Sequence, residues 1–373
     1  MKEKVGIGII GTGFARRVQI PAFLACENVE IVSVASGSIE NAKSTAEEFG
    51  VKHFTDDWHK TASHNAVDLV CITTPPKLHR EMTLFALEQN KPVLCEKPMA
   101  MNVAEADEMV KASRNASVLA LIDHELRFQP GRLHAFQLLR DGVIGKIQHA
   151  KHNFRAPHRG DRNLQWNWWS DIEQGGGALG AINSHIIDSF NWLLETTVSN
   201  VFCQLQTHIK QRPDPTGKLN DVTTDDEANM LLRFADSNLT QDATGLVSVS
   251  MTELPEFQNR VELFGTEGAM RIESGGELFI AKPGETEWTL IDDRLGRPLA
   301  GVKDTGFPRG FTELALLIIE AIREGRTEIE HAATFEDGLK VQRVLDAARE
   351  SDQVRKVVEI SNADMADRAD SHG

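Results

Sequence analysis

The chain has 373 residues, 41% hydrophobic and 25% charged, the balance of a folded globular protein, which excludes long disorder. That length exceeds a single domain of about 100 to 200 residues, so two domains are expected. The formal net charge of -15 opposes phosphate backbones and anionic lipid, so a small neutral ligand, or one held by local basic groups, fits better than nucleic acid or a membrane surface.

No run approaches the roughly 18 apolar residues of a membrane span. Lys2, Glu3 and Lys4 precede a short apolar run that lacks the length and cleavage site of a signal peptide, so a cytoplasmic location is expected. Cys26, Cys71, Cys95 and Cys203 are widely spaced and form no CxxC pair; they read as structural thiols, without zinc or disulfides. The absence of tyrosine excludes any mechanism that needs a tyrosine acid.

In chain order, apolar runs at Val5 to Ile10, Ile31 to Ala35, Leu69 to Thr73, Pro92 to Cys95 and Val118 to Ile122 read as strands, with a short one around Phe54. Helical patterns at Ile39 to Phe49, Leu78 to Gln89 and Val103 to Ser113 lie between them. Continuous apolar strands alternating with helices predict an α/β doubly wound parallel sheet over residues 1–123. From residue 124 to 373 the pattern changes. Helices at Pro130 to Arg140 and Ala178 to Leu194 precede alternating segments at Ser199 to His208, Asn229 to Phe234, Thr244 to Ser250, Arg260 to Phe264 and Leu278 to Ala281. Period-two alternation predicts a large open, mostly antiparallel sheet with one covered face, and such a face is expected to pair copies into a homodimer or homotetramer. Helices at Phe311 to Arg323 and Phe335 to Glu350 and a strand at Val357 to Ile360 follow, then a polar tail from Ser361 that is expected to fray.

VGIGIIGTGFARR places Gly11 and Gly13 after a strand and before a helix. Gly11 permits a tight turn, and Gly13 lets the backbone approach a pyrophosphate at the helix N-terminus. The third position of GxGxxG falls on Arg16. Residues Gly11, Thr12, Gly13, Phe14, Ala15 and Arg16 are therefore candidates for dinucleotide binding. The second strand ends in Ser36, Gly37 and Ser38, with no acid before Glu40. An uncharged, hydroxyl-rich end leaves room for a 2'-phosphate with Arg16 or Lys43 as partner, so NADP(H) is favoured and NAD(H) is the alternative. Ser36 also suits a cap of the following helix.

In a doubly wound sheet, ligands sit outside the carboxyl ends of the strands. Glu96 and Lys97 follow one such end. Thr74, Pro75 and His79, in TTPPKLH, follow the preceding one. All are candidates for the cofactor crevice, where Lys97 could bind a substrate oxygen and pass a proton. A solvated Lys97 paired with Glu96 is the plainer reading.

Gly11-Thr12-Gly13, the TPPKLH segment, Glu96-Lys97-Pro98 and GGGALGAINSHIID together resemble the Gfo/Idh/MocA oxidoreductase family over nearly the whole chain. The resemblance implies an N-terminal Rossmann domain and a C-terminal α/β domain with a large open sheet. It also implies oxidation or reduction of a sugar or cyclitol by NAD(P), with Lys97 catalytic. The Ser36-Gly37 ending is similar to NADP-binding members, although their nearby lysine aligns with Asn41. Many members carry a D-x-x-x-H pair after the GGG turn. Here His185 matches the histidine, but Ala181 stands at the aspartate and Asn183 at a common glycine. His185 is thus the expected proton acceptor, and Asp188, three residues on, is the carboxylate that could hold its ring.

Arg127, in DHELRF, braces either the cofactor or the substrate pocket, or forms an interdomain ion pair. With Lys97, Asn183, His185 and Asp188 it makes up the candidate substrate set. Trp166, Trp168 and Trp169 could stack on a sugar or anchor their loop in the core. His149, His152 and His158 lack a ligand cluster, so no metal is expected. The leading function is hydride transfer between a nicotinamide and a sugar, sugar derivative or cyclitol. The alternatives are a non-catalytic NAD(P)-sensing regulator, favoured by the missing aspartate, and an enzyme that uses tightly bound NAD(P) for a net non-redox step.

Overall fold

The computed structural model describes residues 4–302 and 304–360. The tail from Ser361 lies outside the described residues, so the fraying expected there has no counterpart in the description.

The N-terminal unit begins with β1 (Val5–Ile10), a π-helical turn (Ala15–Gln19) and α1 (Ile20–Leu24). It continues through β2 (Val29–Ala35), α2 (Ile39–Phe49), β3 (His53–Thr55) and α3 (Trp58–Ala62). Next come β4 (Leu69–Ile72), α4 (His79–Glu88), β5 (Val93–Cys95), α5 (Val103–Ala116) and β6 (Ala120–Ile122). The six strands form one parallel sheet in the order β3-β2-β1-β4-β5-β6. Every residue of β1 and β4 is buried, as strands covered on both faces require. The order reverses between β1 and β4, which places a crevice at their carboxyl ends, where the glycine loop and Thr73 meet.

The second unit contains α6 (Pro130–Arg140), β7 (Ile147–Arg155), α7 (Ser184–Leu194) and β8 (Val198–Gln206). A small hairpin, β9 (Gln211–Pro213) and β10 (Leu219–Asp221), precedes β11 (Glu227–Phe234), β12 (Thr240–Ser250) and β13 (Gln258–Gly265). Then follow β14 (Gly268–Ile272), β15 (Leu278–Ala281), β16 (Thr289–Asp292), α8 (Phe307–Glu324), α9 (Phe335–Val354) and β17 (Val358–Glu359). Nine strands make a mixed sheet, β16-β15-β14-β13-β7-β12-β11-β8-β17, antiparallel except where β7 and β12 run parallel. Of the strands absent from the sequence expectation, which are β7, β9, β10, β14 and β16, β7 sits at the middle of the large sheet. Its inward positions include His152, 1% exposed, so the apolar alternation breaks where the strand is most buried. On the uncovered face Leu231 pairs across strands with Leu246, at 56% and 37% exposure.

A division at residue 123 does not describe how the late helices pack. In α8, Phe311, Leu314, Ala315, Ile318 and Ile319 fall on one helical stripe and bury against α1 and β1 of the N-terminal unit. Phe311 meets Phe23 edge-on at 5.4 Å and Phe14 at 6.4 Å. α9 opens with a capping box between Thr334 and Asp337 and packs on both α5 and β8. Ile122 N donates to Ala333 O at 2.9 Å, so the last strand of the first sheet is tied to the helix that covers the second. The chain returns to its first unit because that unit leaves an apolar face that α8 covers.

Phe311→Ala is expected to lower the unfolding free energy by about 3 to 5 kcal/mol, since a fully buried aromatic joining both units is lost. Urea denaturation measures it; a loss below about 1 kcal/mol would show that α8 is not a structural strut.

Candidate active site at the domain junction

The glycine loop is set by one close approach. Gly11 has φ +96°, and a Cβ there would lie 2.6 Å from the Thr73 carbonyl, while Thr73 Oγ1 donates to Gly11 O at 2.7 Å. At Gly13 a Cβ would meet nothing within 4 Å, so the helix start faces open space of the kind a pyrophosphate requires. Phe14 and Ala15, expected to touch cofactor, pack into the core against α8 and fasten the loop from behind. Arg16 pairs with Glu48 and reaches Ser44 Oγ at 3.4 Å. At the end of β2, Thr12 Oγ1 lies 3.4 Å from Ser36 Oγ, and Gly37 borders open space. Ser38, not Ser36, caps α2 by accepting from Asn41 N at 3.3 Å, and its hydroxyl donates to Glu40 at 2.7 Å. Lys43 pairs with Glu47 at 3.8 Å.

Beside the glycine loop, the ends of β4, β5 and β6 gather polar groups that their strands cannot use. His79 is fully buried, one ring nitrogen 3.0 Å from Pro98 O and the other 2.9 Å from Thr74 O. It was expected among the cofactor contacts; instead it joins the Thr74-Pro75 loop to the Glu96-Lys97-Pro98 loop. Gln19, at the end of the π-helical turn, sends Nε2 to Glu96 Oε1 at 3.2 Å and Asp123 Oδ2 at 2.8 Å. Glu96 therefore faces inward to Gln19 and Asp123, and Lys97 extends the other way. Its Nζ donates to Ala181 O at 2.9 Å, across the junction.

Ala181 belongs to a second π-helical turn (Leu179–Asn183) that leads directly into α7. The Gly175-Gly176-Gly177 run brings it there. A Cβ at Gly175 would strike Pro76 at 2.6 Å and one at Gly176 would strike Trp169 O at 2.4 Å. Asp225 Oδ2 then accepts from Leu179 N at 2.6 Å and holds the turn. Trp166 Nε1 donates to Asp221 O at 2.9 Å, and the Arg159 guanidinium lies 4.1 Å over the Trp169 ring, so Trp166 is held by the β9–β10 hairpin and Trp169 by its own loop. The turn delivers Asn183 and His185 to the junction, 0% and 4% exposed. Both side-chain polar atoms of Asn183, and His185 Nε2, lack protein partners. Buried polar atoms left unpaired in this way mark a place where a ligand or water would bond.

Asp188 does not hold the His185 ring. Its two oxygens take the Arg127 guanidinium in a bidentate pair, one contact at 2.9 Å, and Arg127 also reaches His331 O at 3.3 Å and Asp337 at 3.4 Å. A fork of this kind satisfies both partners, so Arg127 and Asp188 join α7 to α9 and are not aimed at a ligand. The neighbours of His185 Nδ1 are instead His124 Nδ1 at 3.5 Å and Glu125 Oε2 at 3.9 Å. Asp123, His124, Glu125 and Gln19 were not singled out. The signal was present: three polar residues in succession end a buried strand, the pattern that drew attention to Lys97.

Burial governs the charge state of this cluster. It raises the Glu96 carboxyl, and it raises Asp123 well above the usual range with help from the Glu125 and Glu96 charges. Glu125 rises to about 8 for the same reason. Desolvation first, then the Lys97 charge, hold His185 well below 6.5, so its ring is neutral. His124 falls to about 4 and His152 to about 3. Among the described residues no group of three or more His, Cys, Asp and Glu side chains is arranged to hold a metal ion, and no helix is long and apolar enough to cross a membrane.

These shifts have opposite signs in stability. A buried neutral histidine binds its proton only in the unfolded chain, so stability rises with pH up to 6.5. Glu125 keeps its proton in the fold after the unfolded chain has lost it, so stability falls from 4.5 towards about 8. Between pH 6.5 and about 8 the acids act alone. The melting temperature is expected to fall across that interval and to fall less in Glu125→Gln; parallel slopes for the two proteins would show that Glu125 is ionised throughout.

Residues 5–124 match the family described as "Oxidoreductase family, NAD-binding Rossmann fold", and residues 133–271 match the GFO/IDH/MocA C-terminal domain. Glucose-fructose oxidoreductase domain-containing protein 2 of Xenopus tropicalis is 31% identical, covering 95% of this chain and 93% of its own. Levoglucosan dehydrogenase of Pseudarthrobacter phenanthrenivorans is 28% identical, covering 94% of this chain and 96% of its own. A solved structure of levoglucosan dehydrogenase in complex with NADH and levoglucosan has a TM-score of 0.84 at 25% identity, covering 96% of this chain and 100% of that one. With both of its units matched and the likeness running over nearly its whole length, the chain belongs to the GFO/IDH/MocA oxidoreductase family and carries that family's NAD-binding Rossmann fold.

Proposed function

We propose that this protein is an NAD(P)-dependent dehydrogenase or reductase of a sugar, sugar derivative or cyclitol. The observation that carries the reading is the meeting of Lys97 and His185 at the mouth of the dinucleotide crevice. Lys97 binds the carbonyl of Ala181, four residues before a neutral His185 whose Nε2 is unpaired. Levoglucosan dehydrogenase, a relative at 28% identity, points to the same substrate class.

In the oxidative direction His185 Nε2 accepts the proton of a substrate hydroxyl. The Lys97 ammonium hydrogen-bonds the same oxygen and stabilises the negative charge that grows on it as the carbonyl forms. A nicotinamide held at the glycine loop would supply the acceptor for the hydride that leaves the carbinol carbon. Asn183 offers one acceptor and one donor group to neighbouring hydroxyls. The residues present fit a dinucleotide: Gly13 leaves its cradle open, and the hydroxyls of Thr12 and Ser36 stand at the end of β2.

Cofactor preference turns on charge at that end. Ser36, Gly37 and Ser38 leave room for a 2'-phosphate, which supports NADP(H). Arg16 would have to leave Glu48 to meet it, and Glu40 stands beside Ser38, which supports NAD(H). We read the pocket as one that admits both, with NADP(H) gaining when Arg16 is released.

Two measurements test the reading. Nicotinamide absorbance with a panel of sugars, polyols and inositols is expected to change with wild type, and kcat/KM to fall by about a hundredfold or more in Lys97→Ala. Equal turnover by the two proteins overturns it. Gly13→Ala is expected to keep the wild-type melting temperature yet weaken NAD(P) binding by about tenfold or more, because its Cβ projects into the cradle. Gly11→Ala instead destabilises the fold through its positive φ. Unchanged NAD(P) affinity in Gly13→Ala would place the dinucleotide elsewhere.

A further inference from the structure

A neutral histidine that takes a substrate proton becomes a buried cation beside Lys97, an arrangement its surroundings oppose. The groups that face His185 are Lys97 from the end of β5, Arg132 from α6, His152 from β7 and His124 from the turn after β6, and each lowers its basicity. The Phe307 ring closes another side at 5.2 Å. Asp188 is committed to Arg127, and the position one turn before His185 is Ala181, which carries no carboxylate. A proton arriving at Nε2 therefore needs an exit at Nδ1.

His124 Nδ1 is nearer, at 3.5 Å, but burial holds its basicity down to about 4, so Glu125 is the group left to take the proton. It lies on the 3-10 turn Glu125–Phe128, 2% exposed, and its Oε2 stands 3.9 Å from His185 Nδ1 with no hydrogen-bond partner of its own. An unpaired buried carboxyl oxygen is costly, and native structures hold one where it has a task. We propose that Glu125 is the positioning residue of His185: it accepts the Nδ1 proton as Nε2 takes the proton of the substrate hydroxyl, so the imidazole stays neutral. The step balances. The substrate O–H bond breaks and an Nε2–H bond forms, the Nδ1–H bond breaks and a Glu125 O–H bond forms, and in reduction both protons return.

The inference rests on the reading of His185 as the base. Its pH range follows from burial first, which raises Glu125, and then from the groups around it: Glu96 raises it, Lys97 lowers it and Asp188 raises it, with Asp123, His124 and Arg127 on its own segment. The outcome, about 8, lies close to the working range of a general base, where both protonation states are populated.

Nitrogen NMR of the protein labelled at histidine, with His185 assigned by its loss in His185→Gln, reads the tautomer without cofactor or substrate. In wild type His185 is expected to carry its proton at Nδ1, with a resonance that titrates near pH 8, and in Glu125→Gln that titration is expected to vanish. Kinetics are expected to agree: oxidation rises with pH to a limb near 8 in wild type, and in Glu125→Gln the limb is lost and kcat falls about tenfold with KM little changed. Glu125→Asp, which keeps the carboxyl on a shorter arm, is expected to move the titration and restore part of kcat. It also serves as the test should Glu125→Gln fail to fold. A His185 resonance that titrates identically in wild type and the Glu125 variant, or that changes only in His124→Asn, overturns the proposal. Full turnover by His185→Gln beside an intact Glu125-dependent titration would instead sink the reading of His185 as the base and leave the coupling standing.

Discussion

An ammonium at the end of a buried parallel strand must leave the sheet to be satisfied, and Lys97 does so by reaching across the junction to the carbonyl of Ala181 at 2.9 Å. Much of the molecule is arranged around that reach. The carbonyl is available because Leu179–Asn183 is π-helical, and that turn is near because three glycines let its loop press on Pro76 and on the backbone of Trp168 and Trp169. The same turn leads into α7, on which His185 meets His124 and Glu125 while Asp188 takes Arg127.

The junction is polar throughout, and its parts separate by role. Arg127, Asp188 and Asp337 form a satisfied ion network that joins α7 to α9 and asks nothing of a ligand. Gln19, Glu96 and Asp123 form a second network that ties the helix after the glycine loop to the ends of β5 and β6. Gln19 Oε1 and Asp123 Oδ1 stay unpaired in that network, and beside it lies a group with further open atoms: both of Asn183, Nε2 of His185 and Oε2 of Glu125. A fold tolerates unpaired buried polar atoms where something else completes them, and this group sits outside the carboxyl ends of the first sheet, where a doubly wound fold takes its ligand.

Two clefts lie apart from this chemistry. One of about 490 Å³ runs between α6 and α8, lined by Phe128, Leu133, His134 and Arg294 among others; one of about 300 Å³ lies near Asp68 and Arg326 at the opposite end of the first sheet. Neither gathers unpaired buried donors and acceptors as the junction does. Size alone is a poor guide here, because the junction is closed over its polar groups.

Local grammar carried a large share of the result. Continuous apolar strands alternating with helices determined the first sheet, and Gly11, Gly13 and Lys97 were legible because backbone approach and a charge at a strand end leave marks in neighbouring residues. His185 was legible for its spacing from the glycine run. The partner of His185 was not: helical periodicity offered Asp188, yet a carboxylate on the same helix is lost to whichever cation another segment supplies, and Arg127 arrives from 61 residues away. β7 was hidden because a polar His152 occupies a core position, and the place of α8 because an apolar stripe states that a helix is buried without stating against what. Sequence determined which groups could do chemistry and which elements would carry them. Tertiary structure alone decided which charges met, since pairing and desolvation depend on what the fold brings within a few ångströms.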